Sequence, residues 1–185
     1  MEIIKIVISL VTPITVAFVG YFLNQRLKSI DNAQWQSRKI VEKRLELYDQ
    51  IAPDLNLMLC FCTWVGYWKE ISPKQMLEAK RSLDKTVNIY KHLLSDEFYI
   101  LYGDFIHTIF QTYTGHGKDA LIKSEVANSW GDRTKHANYE WEEGYNRLFT
   151  DVDLPNRREV FEKYDRTMNA LRDCIGIESQ NGQRL

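Results

Sequence analysis

Residues 6–23 form an unbroken run of 18 uncharged, mostly apolar residues, and counting from Ile3 extends the run to 21 with Lys5 its single charge. As a helix rising about 1.5 Å per residue, this segment matches the roughly 30 Å hydrocarbon core of a bilayer. A cleaved signal peptide would need a basic head, a shorter apolar run and a small-residue exit. Here the run starts almost at Met1 and closes on Gly20, Tyr21, Phe22 and Leu23. A buried core helix is rarely so apolar around its whole circumference. The sequence therefore predicts a single transmembrane anchor over residues 1–23.

The flanks predict its direction. Arg26, Lys28, Arg38 and Lys39 follow the run against one acid, Asp31, whereas only Glu2 and Lys5 precede it. The basic side stays cytoplasmic, so the amino terminus is expected outside and the rest of the chain inside. Cys60, Cys62 and Cys174 fall on apolar stretches, as free thiols in a reducing compartment would. Within the run, Pro13 predicts a kink that the hydroxyls of Thr12 and Thr15 can offset. Ser9, Pro13, Ala17 and Gly20 together suggest a face for span–span association and a homo-oligomer.

Residues 24–39 read as a polar helical stalk, with Gln25, Asn32, Gln34, Gln36 and Ser37 interrupting any apolar stripe. Leu27, Ile30, Gln34, Ser37 and Val41 follow a 3–4 spacing that fits a wet parallel coiled coil and equally a solvated helix. Residues 40–176 read as a packed helical bundle, and residues 177–185 as a flexible tail. Pro53 is expected to stop or bend the first helix. Residues 54–70 are apolar almost all round, but the 14 residues between Asp54 and Lys69 are too few for a second span.

Ser72-Pro73 predicts a helix start, with the helix running to about Leu94 and Lys80, Arg81, Lys85 and Lys91 facing water. Ser95 is expected to cap the next helix, whose stripe is Phe98, Tyr102, Phe105, Ile106, Ile109, Phe110 and Tyr113, ending at Gly115. A short helix and a loop are expected over residues 118–133, and a further helix over residues 134–149. Val160, Tyr164, Met168, Leu171 and Ile175 mark the last helix, closed by Gly176. No stretch alternates with period two, so the class expected is all-α.

Twenty-four basic residues against 25 acidic ones leave a net charge of -1, which argues against a general nucleic-acid binder. Asp104-x-x-His107 is the best metal candidate. A di-iron bundle would need two Glu-x-x-His motifs and further carboxylates, so the expectation is no metal and no cofactor. Gly115-His116-Gly117-Lys118-Asp119 could cradle an anion but lacks a nucleotide-loop pattern, and a helix C-cap explains its glycines. Cys60-x-Cys62 has no redox spacing. His92, His116 and His136 share no ligating pattern, and Glu140, Glu142 and Glu143 read as a solvated face. Trp64, Trp68, Trp130 and Trp141 can line a ligand pocket, anchor an interface or fill a core.

Residues 41–56, from Val41-Glu42-Lys43-Arg44-Leu45 to Asp54-Leu55-Asn56, join Val65-Gly66-Tyr67-Trp68-Lys69, Lys80-Arg81-Ser82-Leu83-Asp84 and residues 113–120 in one resemblance. Over residues 1–125 the chain resembles a group of bacterial proteins with one amino-terminal membrane helix and a cytoplasmic helical region. The resemblance implies that architecture and a bacterial inner-membrane setting, with no activity attached. The functional expectation is a membrane-anchored, non-enzymatic helical module that binds a cytoplasmic partner or small signal. Its sharper form is a membrane-perturbing effector of bacterial defence. The alternative is a membrane-tethered metal-dependent hydrolase built on Asp104 and His107.

Overall fold

The computed structural model describes residues 2–113 and 115–176; the side chains of residues 2–17, 29–33 and 36 lie outside that description. The described chain is mostly helical. It divides into two units, Met1–Lys43 and Arg44–Leu185. The expected tail over residues 177–185 lies outside the described residues.

The first unit is one stretch of helix α1, which spans Glu2–Thr63. Its described apolar side chains, among them Phe18, Tyr21, Phe22, Leu23, Leu27 and Trp35, are exposed. Among the described residues no helix is long and apolar enough to cross a membrane. The side chains of Ser9, Pro13 and Ala17, three of the four expected span-association residues, lie outside the described residues. Gly20 is exposed, with nothing within 4 Å of an added Cβ.

In the second unit the end of α1 lies within a core with α2 (Pro73–Ile89), α3 (Asp96–Ile109) and a late helix, Arg157–Cys174. Pro53 neither stops nor breaks α1. Pro53 and Asp49, whose carbonyl loses its amide partner, both sit on the exposed side. Water can serve that carbonyl, while buried Ile51, Leu55 and Met58 hold the helix to the core.

Ser72 caps α2 in a full capping box: its hydroxyl accepts from Gln75 N at 3.2 Å, and the Gln75 side chain accepts from Ser72 N at 2.7 Å. The helix stops at Ile89, short of Leu94, and a 3-10 turn over Lys91–Leu93 brings Leu94 into the core. Lys80 does not face water as expected; it is mostly buried, bonded to Asp84 at 2.6 Å, and Asp84 also accepts the Tyr102 hydroxyl at 2.6 Å. Ser95 caps α3 as expected, accepting from Phe98 N. The helix α3 packs along the last one, where Thr167 Oγ1 donates to Leu101 O at 3.1 Å.

Residues 110–156 differ from the expected helices. Phe110 leaves α3 for strand β1 (Phe110–Gln111), so Tyr113 does not continue the stripe and is 75% exposed. The central strand β2 (Leu121–Lys123) pairs antiparallel with β1 and parallel with β5 (Phe149–Thr150), in the order β1-β2-β5. Buried Ile122 faces Phe110 in one register and Phe149 in the other. A hairpin of β3 (Ala127–Asn128) and β4 (Gly131–Asp132) follows β2, and its turn is fixed by Asn128 Oδ1 accepting from Trp130 N at 2.8 Å.

The helix expected over residues 134–149 is reduced to the four-residue α4 (Arg133–His136) and a 3-10 stretch over Glu143–Leu148. Tyr139 and Trp141 stack with ring centroids 6.3 Å apart. Side chains two residues apart do not meet on a helix, so this contact requires extended chain. Asn138 N also donates to Lys69 O at 2.8 Å, tying the segment across to the chain after α1. Helix α5 (Arg157–Cys174) then runs as its stripe predicts, capped by Asn156 Oδ1 accepting from Glu159 N.

Candidate functional site: a tryptophan-lined cavity at the end of helix α1

The end of α1 has an unusual termination. Val65 N donates back to Cys60 O at 3.2 Å, the six-to-one bond of a helix stop whose preceding residue is left-handed. That left-handed residue is Trp64, with φ 58°. Glycine usually holds such a position, because a side chain there costs about 1–2 kcal/mol. Gly66 follows at φ +58°, where a Cβ would be strained by the left-handed backbone and tight against Cys60 Sγ at 3.1 Å.

The Trp64 ring is held in this strained place by Arg133. The guanidinium carbon of Arg133 lies 3.8 Å from the Trp64 ring centroid, 4.0 Å from Phe61 and 5.6 Å from Trp68. Arg133 is 1% exposed. One terminal nitrogen, Nη2, donates to Phe61 O at 2.8 Å and to Ser124 Oγ at 3.1 Å, while Nε donates to Glu125 O at 3.2 Å. Its Nη1 has no hydrogen-bond partner. Instead of a carboxylate, the cation faces three aromatic rings and a carbonyl of the last turn of a long helix, the negative end of its dipole. Burial still disfavours the charge and brings the Arg133 pKa down to about 10.

A cavity of about 170 Å³ shares Trp64 with this cluster. Cys62, Thr63 and Trp64 of the α1 terminus form one wall, Lys123 to Glu125 and Asn128 a second, and Trp130, Leu154, Pro155 and Arg157 the rim. Trp130 is 64% exposed, and the Arg157 guanidinium carbon lies 5.0 Å from its ring centroid. Gly131 at φ +154° lets the hairpin close onto this wall, since a Cβ there would meet the His136 ring at 3.3 Å and the Trp64 ring at 3.7 Å. Lys123 Nζ donates to His107 O at 3.1 Å.

Trp64 and Trp130 thus meet at one cavity. Trp68 lines no part of it and belongs to the Arg133 cluster, tilted against Trp64 at 4.7 Å between ring centroids. Trp141 stacks on Phe149 and meets Tyr145 edge-on, and lines no part of the cavity wall. The feature that sequence reading missed is Arg133, a basic residue in a polar stretch with no apolar periodicity around it. Its only sequence signal was the density of tryptophan in an otherwise ordinary composition.

Asp104 and His107 do share a helix face, but Asp104 accepts from Lys163 Nζ at 3.3 Å across to α5. They border a shallow depression beside the cavity, beyond Leu154 and Pro155. Among the described residues no three His, Cys, Asp or Glu side chains gather closely enough to share a metal ion. The Gly115–Asp119 segment is an exposed turn closed by Lys118 N donating to Gly115 O, with Asp119 paired to Arg81. Cys60, Cys62 and Cys174 are free thiols, and burial pushes Cys62 up to about 12, which keeps it protonated and unreactive.

Compared with protein-family models, curated proteins and solved structures, the chain matches none of them.

Proposed function

We propose that the chain is a membrane-anchored, non-enzymatic helical module that holds a binding unit at the cytoplasmic face of a bacterial inner membrane. The observation that carries the reading is the make-up of α1. One uninterrupted helix over Glu2–Thr63 begins with the uncharged run of residues 6–23 and ends among the core residues Leu55, Met58 and Phe61. Exposed Phe18, Tyr21, Phe22 and Leu23 close that run, and a bilayer would take them out of water. The basic excess at Arg26, Lys28, Arg38 and Lys39 supports the orientation. Gly20, exposed and open to close approach, supports span-to-span association into a homo-oligomer. The cavity at the end of α1 supports a ligand-binding role, and the engagement of Asp104 by Lys163 favours it over the hydrolase reading.

Membrane fractionation tests the anchor. The full-length chain should pellet with membranes, resist extraction by alkaline carbonate and dissolve in detergent. Deletion of residues 3–23 should release it, and protease added outside intact cells should leave the second unit uncut. A full-length chain that stays soluble without detergent, or is cut from outside, overturns the reading.

A further inference from the structure

We propose that the cavity between Trp64, Trp130 and Arg157 binds a small aromatic carboxylate, its ring against the tryptophans and its carboxylate on the Arg157 guanidinium. This deepens the binding-module reading by naming a ligand class, and it rests on the cavity alone.

Arg157 supplies the first argument. It lies over Trp130 at 5.0 Å and Phe161 at 5.6 Å, and among the described residues it is held by ring faces and by no carboxylate. Its neighbour Arg158, in contrast, is bonded to Glu162 at 2.7 Å. A guanidinium over ring faces rather than on a carboxylate keeps its fork of donors for a ligand, and that fork matches a carboxylate in bidentate geometry.

Charge supplies the second. Lys123 and Arg157 bring two positive charges to the cavity and Glu125 one negative, a surplus of one. A monoanion balances it; a doubly charged phosphate ester would leave an unmatched charge near Glu125. Size supplies the third. About 170 Å³ lies below the roughly 300–1,000 Å³ of sites for drug-sized ligands, which favours one ring with one charged group over a nucleotide.

The fourth argument is the strain at Trp64. A glycine would end α1 at lower cost, yet a tryptophan occupies the left-handed position and faces the cavity. Trp130 sits at the tip of a hairpin, 64% exposed, with the Arg157 guanidinium over its ring. Two tryptophan rings and a guanidinium that line one cavity offer a flat anion ring faces and a charge together.

The test is a titration of the full-length chain, in maltoside micelles, with benzoate as the probe, followed through tryptophan fluorescence and the indole N–H resonances. The expected result is a saturable response that includes the Trp130 indole. Arg157→Ala and Trp130→Ala should each weaken binding at least about tenfold, whereas Arg158→Ala should leave it unchanged. Acetate, which lacks the ring, and benzyl alcohol, which lacks the charge, should each bind at least about tenfold more weakly. All three substituted side chains are exposed, and unchanged circular dichroism verifies folding. No saturable response, an Arg157→Ala variant that binds as well as the parent, or phenyl phosphate binding more tightly than benzoate overturns the proposal. A failed titration with normal membrane fractionation removes the ligand class alone; a chain that binds benzoate but stays soluble removes the anchor alone.

Discussion

Two stretches of α1 are comparably rich in apolar residues and meet opposite surroundings. Phe18, Tyr21, Phe22, Leu23 and Leu27 are exposed, whereas Leu47, Ile51, Leu55, Met58 and Phe61 are wholly removed from water. The difference lies in the residues between them. In the second stretch, up to Asn56, apolar positions recur every three or four residues with Glu46, Asp49, Gln50 and Asn56 between them, and the short all-apolar run over residues 57–62 that follows is taken up by the core. In the first, no polar face exists until Asn24. A stripe needs a partner element, which α2, α3 and α5 supply. An apolar circumference needs an apolar solvent, which is the physical content of the proposed anchor.

The largest test of this contrast is Phe61→Ala. The ring is fully buried, stacks on Phe149 and lies under Arg133, so its loss should cost about 3–5 kcal/mol in a urea melt of the detergent-solubilised chain. A cost below about 1 kcal/mol would mean that the core does not close around the end of α1. Next comes Arg133→Ala, which removes three hydrogen bonds and the stacked cation and leaves the carbonyl of Phe61 without its cap. About 3 kcal/mol should be lost. Arg133→Lys should recover only part of it, because an ammonium cannot reach three acceptors in one plane while stacking on Trp64.

These two residues also show what could be read before the structure and what could not. The helices were legible because each carries a long stripe and a local cap: Ser72 with Pro73, Ser95 with Asp96, and the 3–4 run from Val160 to Leu171. Phe61 was legible as core because residues 54–70 are apolar almost all round. Residues 110–156 were not, because strands of two or three residues are too short to alternate, and their partners are set by distant chain, as Ile122 is by Phe110 and Phe149. Of the stop or bend expected at Pro53, the stop did not occur, because tertiary packing outweighed a local breaker. In the cavity, the tryptophans were visible as candidates. Which of them meet depends on the Asn128–Gly131 turn and on Arg133, and neither is periodic.

A smaller effect is expected from pH. Burial raises the Cys62 thiol from 9.0 to about 12. A raised folded-state value means that the neutral thiol contributes stability below about pH 9, lost progressively as pH rises toward 12. Tyr139, also raised to about 12, adds to the loss above pH 10, while Arg133, lowered to about 10, acts in the opposite sense there. Cys60, raised by burial from the same 9.0, and the tyrosines raised from 10.0 titrate across pH 9 to 10 as well, so the Cys62 part is read as the difference from Cys62→Ala. Between pH 9 and 10 the Cys62 part of the fall in unfolding free energy should be about 1 kcal/mol under reducing conditions. Cys62→Ala should flatten that slope, and an unchanged slope would show that the thiol is not held neutral by the fold.

The smallest effect closes the comparison from the other side. Phe22 is an aromatic residue on the same helix as Phe61, yet it is 52% exposed, and among the described residues its ring contacts are with its neighbours Phe18 and Tyr21, with ring centroids 5.0 and 6.2 Å away. Those contacts lie within one or two turns of one helix, so they close no tertiary surface and are worth a few tenths of a kcal/mol. Phe22→Ala should therefore shift the urea midpoint of the second unit by less than about 0.5 kcal/mol equivalent, against the several expected for Phe61→Ala. If a bilayer is its solvent, the same substitution should still ease extraction of the chain from membranes by alkaline carbonate. A large loss of stability in detergent would instead give Phe22 a protein partner, and the two stretches of α1 would then differ in which core they serve rather than in the solvent they require.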